Sequence, residues 1–202
     1  MMKLQLTERF SNIILASASP RRAELLKQIG LDFQVCPSDL AEAIKTRTPP
    51  TKLVEELALM KAQTVGKRFN RGLIIGADTI VVINQQIIGK PENDHHAIEI
   101  LSRLSGNRHK VITGVSLLDL DREQQVVWSE STLVYFRRLR ESEILEYVRS
   151  HDVLDKAGAY GIQEKAAAFV SRIEGCYFNV VGLPLASLVE KLWELTENRK
   201  KL

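Results

Sequence analysis

Asp78 lies inside Leu73-Ile74-Ile75-Gly76-Ala77-Asp78-Thr79-Ile80-Val81-Val82-Ile83, an otherwise apolar and largely β-branched run that reads as the central strand of a sheet. An unpaired carboxylate buried there would cost several kcal/mol. Asp78 must therefore emerge at a bend, meet a cation or do chemistry. Gly76 allows a bulge or a close backbone approach beside it, and Thr79 adds a hydroxyl.

A second constellation is cationic. Ser17-Ala18-Ser19-Pro20-Arg21-Arg22 separates the apolar run Ile13-Ile14-Leu15-Ala16 from the helical pattern Ala23-Glu24-Leu25-Leu26. Ser19 reads as an N-cap and Pro20 as the first helical residue, so Arg21 and Arg22 fall in the first turn. Cations are disfavoured there by about 0.3–1 kcal/mol. An anion reverses the sign, because helix N–H groups and guanidinium forks both match phosphate oxygens. The bland alternative is a solvated arginine pair. Neither GxxxxGK[ST] nor GxGxxG occurs, so any phosphate grip is not a P-loop or a dinucleotide fingerprint.

Lys90, placed before Pro91, either reaches back across a hairpin toward Asp78 or merely guards a strand edge. Asp155-Lys156-Ala157-Gly158-Ala159-Tyr160-Gly161-Ile162-Gln163 combines glycines with two charges and an amide, the composition of a loop that lets a ligand approach the backbone. Other chemistries find no support. His95 and His96 are adjacent and diverge on a helix, His109 and His151 lack ligand-spaced partners, and no G-x-S-x-G elbow is present.

The elements that must carry these residues alternate. Strands are expected at Ile13 to Ala16 and Phe33 to Cys36, then a polar loop from Asp39 to Pro50, a helix through Leu53, Leu57, Met60 and Val65, and the Asp78 strand. Asn84-Gln85-Gln86 turns that strand into Ile87-Ile88. A helix face follows at Ala97 to Leu104, then paired strands Val111 to Leu120 and Gln125 to Phe136, and a helix from about Ser142 to Val148. Strands at Ala167 to Ile173 and Tyr177 to Val181 precede a helix opened by Pro184. Hairpins mixed with helices imply an α/β (mixed α+β) fold with a curved, mixed sheet flanked by helices.

The bulk properties fit one domain of 202 residues, with room for two lobes, at 45% hydrophobic and 26% charged residues. A net charge of +3 and the short clusters Arg137-Arg138-Arg140 and Arg199-Lys200-Lys201 give no nucleic-acid argument. Cys36 and Cys176 lack CxxC partners and suit free thiols in a reducing compartment. No apolar stretch approaches the roughly 20 residues needed to span a bilayer, and the expected setting is cytoplasmic.

The blocks SASPRRAELL, GADTIV, GKP, LSG before a valine-rich strand, DKAGAYGIQ and NVVGLPL, in this order, resemble the Maf proteins from Ile13 to about Trp193. The resemblance implies a single domain related to the inosine triphosphate pyrophosphatases, with two lobes around a central cleft, and a short N-terminal extension and basic tail outside it. It implies cleavage of a nucleoside triphosphate between its α and β phosphates, with Asp78 in the place of the proton acceptor. Arg21, Thr79 and Gln163 match positions tied to base choice, and the loop is similar to that of the branch preferring dTTP and UTP.

Ser17, Arg21, Arg22, Lys61 and Lys90 are expected along the phosphates, with Asp155 and Lys156 in the site loop. Mg²⁺ or Mn²⁺ is the expected cofactor, helped by Glu42 and Asp78. A homodimer is common in such families. Two positions depart from the pattern: Ala41 replaces the first of two consecutive acids, leaving Glu42, and Met60 stands where a glutamate often precedes the retained Lys61. The competing expectation is a regulator of septum formation that binds nucleotide or nucleic acid without catalysis.

Overall fold

The computed structural model describes residues 10–38, 48–150 and 152–197. Seven strands form one sheet in the order β2-β1-β3-β5-β6-β7, with β4 paired to β3. They are β1 (Ile13–Leu15), β2 (Gln34–Val35), β3 (Leu73–Ile83), β4 (Gln86–Ile88), β5 (Arg108–Asp119), β6 (Gln124–Phe136) and β7 (Val170–Glu174). The helices are α1 (Pro20–Gln28), α2 (Pro50–Gly66), α3 (Asp94–Leu104), α4 (Glu141–Ser150), α5 (Tyr177–Val181) and α6 (Leu185–Glu197). β1 is parallel to β2 and β3, whereas β3 with β4 and β6 with β7 are antiparallel, so the sheet is mixed. The mixed α/β class expected from hairpins among helices is the one observed.

By chain contacts the molecule divides into two compact units, and β3, β5 and β6 each run from one into the other. The first unit contains residues up to Asp78, Thr113–Glu130 and the chain from Gly182 onward; the second contains Thr79–Ile112 and Ser131–Val181.

In the first unit the parallel strands and α2 enclose a core of Ile14, Ala16, Ala62, Val65 and Ile74. Two glycines let α2 lie directly on the strands. A Cβ on Gly76 would stand 2.2 Å from the Ala58 carbonyl oxygen, and one on Gly114 would stand 2.2 Å from that of Val54. No side chain fits at either place. Helix α1 ends in a Schellman motif: the Gly30 amide donates to the Lys27 carbonyl and the Leu31 amide to that of Leu26, with Gly30 at φ 74°. Its start differs from expectation, because the Ser19 side chain makes no capping bond.

In the second unit α3 and α4 pack together; α3 buries Ile100, Leu101 and Leu104, and α4 buries Ile144, Tyr147 and Val148. The β3–β4 hairpin closes through Asn84 and Gln85, both left-handed at φ 48° and 64°, which is the two-residue geometry that suits strand twist. One expected element is wrong. Tyr177 to Val181 forms helix α5 rather than a strand, and the strand expected from Ala167 begins only at Val170, after a 3₁₀ turn over Lys165–Phe169. Five residues cannot distinguish the two periods. Position 179 decides the case: Asn179 is buried and its amide donates to the Val111 carbonyl and to Thr132 Oγ1.

Candidate active site

The Asp78 carboxylate is paired. Helix α2 presents Ala58 and Lys61 on one face, three residues apart, while Gly76 and Asp78 share one face of β3, two apart. Because Gly76 brings the helix backbone against the strand, Lys61 Nζ reaches Asp78 Oδ1 at 2.5 Å. Both are buried, at 8% and 5% exposure. Removing one partner of such a pair typically costs about 3–5 kcal/mol. The lysine was placed by sequence along the phosphates; the structure gives it a first duty on the carboxylate.

The loop after β1 is equally ordered. Arg22, at 9% exposure, donates from Nε to the Gly182 carbonyl and from Nη1 to the Ala77 carbonyl and Ser17 Oγ, at 2.9, 3.0 and 3.0 Å. Sequence reading gave Arg22 to a phosphate. Its Nε and Nη1 hydrogens are committed to this protein's own oxygens, strapping the loop to the residue before Asp78. Ser17 Oγ also accepts from the Ser19 amide at 3.2 Å. Both lone pairs of the hydroxyl are thereby engaged, and what Ser17 retains to offer a ligand is its proton. Arg21, next to Arg22 in the first turn, is half-buried.

The second unit carries the other expected residues. Thr79 follows Asp78 on β3, and strand alternation sends its side chain to the opposite face, the one it shares with Val81. That face receives the loop. A Cβ on Gly158 would stand 2.9 Å from Val81 Cγ2, and the Gly158 amide donates to the Gly89 carbonyl at 3.1 Å. Lys90 is therefore one residue from a backbone bond to the loop. The paired register ends at Val81 opposite Ile88, two residues before Lys90.

Within the loop, Gln163 is exposed and Lys156 buried. Lys156 Nζ donates to the Asp152 carbonyl and to Asp155 Oδ1 at 2.7 Å, with Glu164 Oε1 at 3.4 Å. Sequence composition puts Lys156 in a loop open to a ligand; the fold uses it to tie the loop's two ends. Glu42 lies outside the described residues.

Sequence reading assigned no role to three contributors: Gly114, which lets α2 approach β5, Gly182, whose carbonyl accepts from Arg22, and Tyr147, whose hydroxyl accepts from the Gly161 amide at 3.3 Å. Gly76 alone announced itself, as a glycine interrupting a strand. The basic cluster at 137–140 is also partly consumed, since Arg137 bonds both Glu143 carboxylate oxygens at 2.6 and 3.1 Å. That partnership and the Arg140 amide hold the Glu143 carboxyl at about 2.

Among the described residues no helix is long and apolar enough to cross a membrane. No three His, Cys, Asp or Glu side chains converge there as a ready metal cage.

Comparison with known proteins agrees along the chain. The dTTP/UTP pyrophosphatase of Ruminiclostridium cellulolyticum is 46% identical over 187 residues, covering 92% of this chain and 97% of that one. That of Syntrophomonas wolfei is 48% identical over 172 residues, covering 85% and 91%. The dTTP/UTP pyrophosphatase of a Geobacillus species is 46% identical over 183 residues, covering 91% and 97%. Among solved structures, the Staphylococcus aureus Ham1 protein superposes with a TM-score of 0.46 at 20% identity, over 62% of this chain and 72% of that one, a likeness too partial to carry an argument. The family model described as Maf-like protein matches residues 12–195, and the chain belongs to the Maf family.

Proposed function

We propose that this protein is a nucleoside triphosphate pyrophosphatase acting on dTTP and UTP, releasing the nucleoside monophosphate and pyrophosphate. The observation that carries this reading is the buried Asp78–Lys61 pair, framed by Gly76 and next in sequence to the carbonyl that Arg22 holds. The relatives named dTTP/UTP pyrophosphatase, similar over nearly the full length of both chains, support it.

In this reading a water oxygen bonds to the α phosphorus while the bond from that phosphorus to the bridging oxygen breaks. The bond pair leaves with pyrophosphate, and the water proton passes to Asp78. With Oδ1 held by Lys61, the second carboxylate oxygen is the natural acceptor. Ser17, Arg21 and Lys90 supply donors to the phosphate oxygens, and Arg22 maintains the loop that presents Ser17. Pyrimidine choice falls to Arg21, Thr79 and Gln163. A glutamine amide offers one donor and one acceptor, complementary to the O4 and N3–H edge of thymine or uracil and mismatched to that of cytosine.

A divalent cation, Mg²⁺ or Mn²⁺, fits this donor set. Such an ion is held mainly by water and phosphate oxygens and asks one or two carboxylates of the protein. Asp78 provides one, and Glu42 is proposed as the other. When bound, the ion withdraws charge from the phosphoryl oxygens. A cytoplasmic location and a homodimer belong to the same reading.

The test is pyrophosphate release from a panel of dTTP, UTP, dCTP, dATP and dGTP, with Mg²⁺, Mn²⁺ or EDTA. Release from dTTP and UTP well above the others is expected. Salt-dependent DNA binding with no release from any nucleotide would instead indicate a binding regulator.

A further inference from the structure

A buried histidine in the second unit is not used by the chemistry above. His109, on β5, is 2% exposed, and its Nε2 lies 2.8 Å from the hydroxyl of Tyr160. Its ring stands edge-on to Phe136 and Tyr160, with centroids 5.0 and 5.5 Å away. Among the described residues its Nδ1 has no hydrogen-bond partner. Burial lowers the imidazole to about 4 and raises the Tyr160 phenol above its ordinary value, so both groups are neutral at cellular pH.

Tyr160 sits in the middle of the loop that carries Gln163. The residues just before it are held in an unfavourable conformation: Gly158 and Ala159 are both left-handed, at φ 74° and 61°. An alanine adopts that region only where surrounding contacts over-determine it. The contacts are the Gly158 bond to Gly89, the Gly161 bond to Tyr147, and between them the Tyr160 bond to His109. A phenylalanine at position 109 would fill the aromatic pocket as well. What histidine adds is a polar atom aimed at the one hydroxyl inside the loop's turn.

We propose that His109 and Tyr160 form an uncharged, buried clamp that fixes the backbone of residues 158–163 and thereby sets Gln163 for choosing among pyrimidine triphosphates. His109 is a positioning residue. The clamp's role in base choice rests on the function proposed above; its role in holding the loop does not. That difference separates the two when tested.

The variants are His109→Phe, Tyr160→Phe and the double variant, with His109→Gln as the conservative replacement able to bond Tyr160. Two quantities are read: amide hydrogen exchange of residues 158–163, and the ratio of kcat/KM for dTTP to that for dCTP. Each single variant is expected to speed exchange across the loop and to lower the ratio about tenfold, the double variant to do no more than either single, and His109→Gln to restore part of both. Tyr160→Phe removes one oxygen and guards against a variant that fails to fold.

Unchanged exchange in a folded Tyr160→Phe protein overturns the clamp, whatever the wild type hydrolyses. Faster exchange with an unchanged dTTP to dCTP ratio overturns its part in base choice. A wild type that releases no pyrophosphate from dTTP overturns the function reading, while the exchange measurement still decides the clamp.

Discussion

The Asp78–Lys61 pair and the Gln163 loop are held by different means. The first is a pair of opposite charges taken out of water and framed by a strand and a helix that two glycines allow to touch. The second is a loop with an exposed amide and two left-handed residues, tied at its ends by Lys156 and between them by neutral hydrogen bonds from aromatic side chains. A carboxylate that must face water in one orientation gains from a fixed partner, since little reorganisation remains at the moment of reaction. The difference teaches that here the regular elements carry the charged chemistry and the loop carries the selection.

The largest effect is expected at the charged region. Asp78→Asn keeps the shape and removes the proton acceptor, so pyrophosphate release from dTTP should fall by about 10³-fold, within the range for loss of a general base. Thermal unfolding should still be cooperative but at a lowered midpoint, because Lys61 loses its charge partner. Turnover like that of the wild type would sink the assignment of Asp78.

Next comes the framing. Gly76→Ala would push a Cβ to 2.2 Å from the Ala58 carbonyl, which demands that helix and strand separate. Destabilisation of about 3 kcal/mol, at the upper end for overpacking, is expected by denaturant titration, together with loss of activity as Lys61 withdraws from Asp78. An unchanged unfolding midpoint would show that the close approach is not needed.

The neutral region should respond to acid. Burial lowers His109 from its ordinary value of about 6.5 to about 4, so between those values the unfolded chain binds more protons than the folded one. Its contribution is present in full above about pH 6.5, declines as pH falls and is gone below about pH 4. This amounts to on the order of 3 kcal/mol. Comparing the pH dependence of unfolding free energy in the wild type and in His109→Phe isolates it; parallel curves from pH 7 to 4 would contradict the burial of a neutral imidazole.

The smallest effect is at the loop's exposed end. Gln163→Ala should reduce the preference for dTTP over dCTP by about tenfold, the order expected when one specific hydrogen-bonding group is removed, with no change in thermal stability. A preference that survives would move base choice to Thr79 or Arg21.

Much of this was legible in the residues. Asp78 announced itself as an acid in an apolar strand, Ser19-Pro20 as a helix start and Asn84-Gln85 as a turn, because burial penalties, capping and left-handed backbone are local and leave a mark in composition. Tyr177 to Val181 was misread because five residues hold too little periodicity, and a buried amide reaching distant partners settled the outcome. For Arg22 and Lys156 the sequence shows a charge near a candidate site, but not that each commits donors to oxygens of its own chain.

The sequence by itself determined the alternation of strands and helices, the site of the acid and the family. These follow from short-range chemistry and from motifs that keep their order. Only the tertiary structure decided that Lys61 pairs with Asp78, that Arg22 straps a loop and that His109 meets Tyr160. Those pairings join residues 17 to 160 positions apart in the chain, and they are set by which backbones pack closely enough to bring the side chains together.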